Sequence, residues 1–216
     1  MEFDERWGTI QNRVALACHE SGRPPDSVTV IAVTKTVGLP LISAAYECGV
    51  RHFGESRLQE ALPKIANMPS DCVWHFIGKL QSNKAKLISQ AFDAVHTIES
   101  DHQVKELVKA GRTIDGFIEV NVAEESQKAG VFAERLDETV QMLSSFSQVR
   151  FRGLMTIGPL TPDPEQSRAV FRKLAELAKT VGTTGLSMGM SADYDVAIQE
   201  GATHVRVGSA LFGERT

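Results

Sequence analysis

The sequence predicts an α/β protein, a single-domain (β/α)8 TIM barrel over residues 1–216 with an extra helix in front. Three observations lead there. Short β-branched or apolar runs alternate with helical segments from residue 28 to the end, and eight such pairs can be counted. With 216 residues each unit averages about 27, near the lower limit for this barrel. A further amphipathic segment, Met1 to Glu20, precedes the first strand. An open doubly wound sheet is the alternative that this alternation alone leaves standing.

Val28 to Thr34 is a β-branched run of the kind buried on both faces. Leu39 to Cys48 follows with helical character, and Gly49 stops it. A strand at His52-Phe53 leads into a helix from Arg57 to Ala66, with Pro69 beyond its end. Cys72 to Ile77 is strand-like, and Ser82 or Asn83 suits the cap of the next helix. Phe92 to Ile98 is a strand; Ser100 or Asp101 caps a helix that closes before Gly111. Gly116 to Val122 is a strand and Phe132 to Ser144 a helix. Val149 to Ile157 ends at Gly158-Pro159, ahead of a long helix from Pro164 to Val181. Gly185 to Met188, then Ala192 to Glu200, make the seventh pair; Thr203 to Val207, then Gly208 to Phe212, make the eighth.

Composition narrows the function classes. Hydrophobic residues at 42% and charged residues at 23% suit a globular chain. A net charge of -4 argues against a general nucleic-acid binder, which needs a basic surface. No apolar stretch is long enough to span a bilayer. The charged start Met-Glu-Phe-Asp-Glu-Arg-Trp does not resemble a secretory signal, so a cytoplasmic location is expected. Cys18, Cys48 and Cys72 are scattered and read as reduced thiols. His52 and His204 lack partners at metal-ligand spacing, so no metal is assigned. His75 suits a hydrogen-bonded core position, although it could approach a ligand. Trp7 suits packing on the first helix, and Lys79, Lys84 and Lys86 suit a solvated face.

In such a barrel, chemistry belongs at the C-terminal ends of the strands, with phosphate held after strands seven and eight. Lys35 directly follows the first strand. Partial desolvation there would favour a neutral amine nucleophile, though its position alone better fits a lysine leaving the core for solvent. Ser187-Met188-Gly189-Met190-Ser191, between the seventh strand and its helix, offers small residues, hydroxyls and a helix start to an anion. Ser191 could equally be only a cap. Gly208 and Ser209 repeat that arrangement after the eighth strand. Arg206, within that strand, either faces outward or, if inward, needs a ligand atom or carboxylate as partner.

Taken together these motifs strongly resemble the pyridoxal phosphate homeostasis protein family, related to the N-terminal domain of alanine racemase. The residues carrying the resemblance are Ala32-Val33-Thr34-Lys35, His52-Phe53-Gly54-Glu55 with Gln59-Glu60, and Trp74 to Gly78 with Leu80 to Lys84. Gly153-Leu154-Met155, Leu186 to Ser191 and Val205 to Gly213 complete them. The resemblance implies a barrel that holds pyridoxal 5'-phosphate as an internal aldimine on Lys35. It further implies Ser191, Gly208 and Ser209 at the phosphate, Ser187 and Gly189 shaping that loop, and Arg206 facing the pyridine nitrogen. Two departures are visible: Ser56 replaces an asparagine usual after Phe-Gly-Glu, and Gln127-Lys128-Ala129-Gly130 replaces a serine-rich loop.

The expected role is to buffer or deliver the cofactor in vitamin B6 and amino-acid homeostasis, with apoenzymes that use it as recipients. No catalytic residue is assigned. Racemisation needs a base on each face of the substrate, and the sequence offers only Tyr46 and Tyr194 as tyrosines, both in helical segments. The chain also ends after its eighth unit, where a racemase continues into a second domain. A weak amino-acid racemase is the alternative, and a Schiff-base aldolase acting on a sugar phosphate is a more distant one.

Overall fold

Eight parallel strands close into a barrel in sequence order, with β1 pairing to both β2 and β8, in a computed structural model that describes residues 2–123, 129–159 and 161–213. The strands are β1 (Thr29–Val33), β2 (His52–Glu55), β3 (Val73–Phe76), β4 (Ala94–Ile98), β5 (Ile114–Glu119), β6 (Val149–Met155), β7 (Leu186–Met190) and β8 (His204–Val207). The helices are α1 (Phe3–Glu20), α2 (Leu39–Glu47), α3 (Leu58–Asn67), α4 (Ser82–Ala91), α5 (Asp101–Val108), α6 (Leu136–Ser144), α7 (Arg168–Thr180), α8 (Tyr194–Gln199) and α9 (Ser209–Phe212). Closure rather than an open sheet follows from the β1–β8 ladder, where Thr29 to Ala32 pair with His204 to Val207.

Helices α3, α5, α6, α7 and α8 pack apolar faces on the outside of the strands, and much of the core lies in that layer. Phe171, Leu174 and Ala178 of α7 are buried at helical spacing, as are Val104 and Leu107 of α5. The leading helix α1 buries Ile10, Val14, Ala17 and Cys18, and packs beside α8 and α9. Arg13 of α1 pairs with Asp195 and lies over the Tyr194 ring.

Several boundaries differ from expectation. Ser100 caps α5 through a reciprocal capping box with Gln103, as its sequence suggests. Ser82 instead begins α4 and Asn83 follows inside it, with Gln81 in the capping position and no side-chain cap. The fifth strand runs Ile114–Glu119 rather than Gly116 to Val122: Ile114 and Asp115 already pair with Val149 and Arg150 of β6, and beyond Glu119 Val120 turns to an isolated bridge with Val131. The segment expected as one helix from Phe132 opens with a tight 3-10 turn, Ala133–Arg135, before α6. A similar turn, Pro164–Ser167, precedes α7. Gly49 does terminate α2, at φ 91°, a conformation costly for other residues. Cys18, Cys48 and Cys72 are free thiols.

The largest change for function concerns β7. It extends to Met190, past the expected end at Met188, so Gly189 joins Ser187 within the strand and neither shapes a loop. Gly189 has φ 89°, and a Cβ there would lie 2.5 Å from the Ala197 Cβ. That glycine lets α8 close against the strand end and sets where Ser191 emerges.

Candidate cofactor site at the strand C-termini

Five of the seven expected site residues line one cavity of about 500 Å3 at the C-terminal mouth: Lys35, Ser191, Arg206, Gly208 and Ser209. That size suits a small organic ligand. Ser56, the departure noted above, lines it too, and Val33, Ile77 and Ile157 supply an apolar wall. Ser187 and Gly189 do not line it. A groove of about 710 Å3 between α1, α2 and α9 lies in the outer helix layer, away from the strand ends where this fold places chemistry.

Lys35 sits half-buried immediately after β1, on a segment held at both sides. Lys64 of α3 is 7% exposed and donates to the Thr34 carbonyl at 2.7 Å, to Glu55 Oε1 at 2.7 Å and to Glu60 Oε1 at 2.8 Å. The Thr34 hydroxyl donates to the same Glu55 oxygen at 2.7 Å. On the other side, Thr36 adopts a left-handed φ of 64° while its N–H donates to Glu60. For a β-branched residue that conformation costs about 1–2 kcal/mol, so the Glu60 contact holds a strained turn in place. The Phe-Gly-Glu and Gln-Glu motifs thus serve to fix the Lys35 segment.

Opposite, the Ser191 hydroxyl oxygen accepts from the N–H groups of Gly208, at 3.0 Å, and Ala210, at 3.4 Å. Two backbone donors therefore already converge on one oxygen atom at the cavity edge, a geometry suited equally to a phosphate oxygen. Asp193 sets the turn by accepting from the Met190 N–H at 2.7 Å and from the Ser167 hydroxyl at 2.9 Å.

Arg206 points inward and is 5% exposed. Its Nη1 donates to the Ser187 carbonyl at 2.9 Å and the Ser187 hydroxyl at 2.7 Å, and Nη2 to the Thr156 carbonyl at 2.9 Å. These neutral oxygens serve where a ligand atom or a carboxylate was expected for an inward arginine. Burial lowers its pKa to about 10, opposed by Glu119 and Asp193, so it remains charged at neutral pH. Three of its five N–H hydrogens are used among the described residues, leaving two for a ligand atom.

Sequence reasoning missed two features here. Glu119, at the end of β5 and 8% exposed, is raised to about 7 by burial and by Glu99. No motif marks it. The second is a run of histidines inside the barrel: His52 Nδ1 lies 3.0 Å from His75 Nε2, His75 Nδ1 lies 2.9 Å from His96 Nε2, and His96 Nδ1 lies 2.8 Å from Ser187 Oγ. His75 thus occupies the hydrogen-bonded core position and does not line the cavity. The alternating spacing from strand to strand hides this cluster in the sequence. Among the described residues, no group of three or more His, Cys, Asp or Glu is arranged to hold a metal ion. Tyr46 donates to Asp71 on the outside, and Tyr194 is buried under Arg13; neither lines the cavity. Gln127 and Lys128 of the departing loop lie outside the described residues. Lys79 and Lys86 are exposed, Lys84 half-buried, and Trp7 packs against the core.

Comparison with known proteins places the barrel in a family. The sequence profile of the alanine racemase N-terminal domain matches residues 9–216. The pyridoxal phosphate homeostasis protein of Aquifex aeolicus is 40% identical over 226 residues, covering 100% of this chain and 99% of that one. PipY of Synechococcus elongatus PCC7942, solved with PLP bound, superposes with a TM-score of 0.84 at 35% identity, over 98% of this chain and 100% of its own. Alanine racemase from Oenococcus oeni, at 17% identity and a TM-score of 0.69, shares the fold alone; 94% of this chain covers 55% of it.

Proposed function

The chain belongs to the pyridoxal phosphate homeostasis protein family, and from that premise we propose that it holds pyridoxal 5'-phosphate reversibly at Lys35 and buffers or delivers it. The observation that carries this reading is the meeting of an amine, a buried guanidinium with spare hydrogens and converging backbone donors around one cavity. When bound, pyridoxal phosphate supplies an aldehyde carbon that condenses reversibly with a primary amine and releases water.

Each residue then has a task. Lys35 offers the amine, on a segment fixed by Lys64, Glu55 and Glu60. Ser191, Gly208 and Ser209 hold the phosphate oxygens. Arg206 donates to the pyridine nitrogen; as a group that stays charged it favours the unprotonated ring and leaves it a weak electron sink. Ser187 stands behind Arg206, and Gly189 shapes the strand end.

A carrier role is favoured over racemisation because, among the described residues lining the cavity, no carboxylate, histidine, tyrosine or cysteine accompanies Lys35 as a second base. The three free thiols suit a reducing, cytoplasmic compartment, where apoenzymes needing the cofactor are the natural recipients. Titrating the protein with pyridoxal phosphate tests binding: saturable growth of a visible absorbance band is expected, with Lys35→Ala abolishing it. Solvent exchange of the α-hydrogen of amino acids tests the role. Exchange faster than with free pyridoxal phosphate, lost in Lys35→Ala, would replace the carrier with a racemase.

A further inference from the structure

The interior of this barrel departs from the usual filling of branched aliphatic residues. Its centre instead holds His75 at 3% exposure and His96 at 0%, beside His204 and Phe117. Buried polar rings need hydrogen-bond partners, and here the partners form one line across the barrel. It runs from His52 at the start of β2, through His75 on β3 and His96 on β4, across to Ser187 on β7 and Arg206 on β8.

The direction of this line is fixed at one end. A guanidinium has only donors, so the 2.7 Å contact makes Ser187 Oγ an acceptor from Arg206. The hydroxyl keeps one hydrogen, and among the described residues His96 Nδ1, at 2.8 Å, is its other partner. Were His96 Nδ1 to donate instead, the buried hydroxyl hydrogen would have no acceptor among the described residues; Nδ1 therefore accepts, and the His96 proton sits on Nε2. That proton is donated to His75 Nδ1 at 2.9 Å, which puts the His75 proton on Nε2 in turn. His75 Nε2 donates to His52 Nδ1 at 3.0 Å by the same logic. Burial favours the neutral form of all three rings, which this order requires.

We propose that His96, His75 and His52 are positioning residues for Arg206, ordered through Ser187 into a one-way chain of neutral Nε2–H tautomers. The chain ends on a group that does not accept a proton, so it orients rather than conducts. It keeps the Ser187 oxygen turned to Arg206 and so holds the guanidinium where its two remaining hydrogens meet the cavity. The outer end, His52, lines a separate cavity of about 400 Å3 beside Trp7, Asp26 and Arg51. The link to cofactor retention rests on the binding reading above; the tautomer order does not.

Nitrogen-15 NMR of histidine-labelled protein without cofactor tests the order directly. His75 and His96 should each show an unprotonated Nδ1 and a protonated Nε2. A protonated Nδ1 on His96 overturns the proposal, whatever the protein binds. Ser187→Ala should lose the single His96 tautomer and release pyridoxal phosphate about tenfold faster, the effect of one charge-assisted hydrogen bond. Ser187→Thr, which keeps the hydroxyl, should restore both. Retention of the His96 pattern in Ser187→Ala contradicts the assigned direction. An altered pattern with unchanged release contradicts the positioning role.

Discussion

The Lys64 ammonium donates across 2.7 Å to the carbonyl oxygen of Thr34, tying α3 to the residue just before Lys35. The same ammonium neutralises Glu55, which is fully buried. Removing one partner of such a pair leaves an uncompensated charge in the core. Lys64→Met should therefore lose about 3–5 kcal/mol in urea unfolding, and Lys64→Met with Glu55→Gln should recover a large part of it. If the double variant is no more stable than the single one, the clamp is not an ion pair.

At the opposite side of the cavity, Ser191 is the single acceptor for two backbone N–H groups. On the proposed reading, Ser191→Ala removes a donor to phosphate but leaves the backbone groups in place. Its affinity for pyridoxal phosphate should fall about tenfold, as for the loss of one hydrogen bond to a charged group. Affinity for pyridoxal without phosphate should change little. An equal loss for both ligands would place the phosphate elsewhere.

Much of this architecture could be read in the sequence, for identifiable reasons. Some strands announce themselves because parallel strands buried on both faces are continuous apolar runs, as in Val30 to Val33. The cavity residues Lys35, Ser191, Gly208 and Ser209 were legible because they sit directly after strand ends. The place of Ser187 behind Arg206 was not, since it depends on pairing with the neighbouring strand, and the extension of β7 to Met190 has no local mark in Met188-Gly189-Met190. The clamp on Lys35 and the histidine line join residues across neighbouring or opposite strands, such as His96 and Ser187, and no spacing along the chain encodes that.

The histidines make stability depend on pH. Burial lowers His204 to about 4 and holds His52, His75 and His96 below their ordinary value. The unfolded chain therefore binds more protons than the native one between about pH 6.5 and 4, so stability falls as pH drops through that window. Each such ring contributes about 1.4 kcal/mol per pH unit where it titrates only in the unfolded chain. Urea midpoints measured from pH 7.5 to 5 should decline steeply below 6.5. A flat profile would mean that the rings are not buried neutral.

Glu119 acts in the opposite sense. Its carboxyl is raised to about 7, so the native state holds this proton above the unfolded value and loses that advantage as pH rises through 7. Glu119→Gln should be neutral at pH 5 and stabilising by about 1–3 kcal/mol at pH 8.5. Destabilisation at pH 8.5 would show that its charge is needed beside Arg206.

The central claim, that Lys35 holds the cofactor, is tested most directly by borohydride reduction of the protein loaded with pyridoxal phosphate, followed by peptide mass mapping. A single pyridoxyl-phosphate addition on the peptide carrying Lys35 is the predicted result. An addition confined to another lysine, or none after saturating incubation, would contradict it.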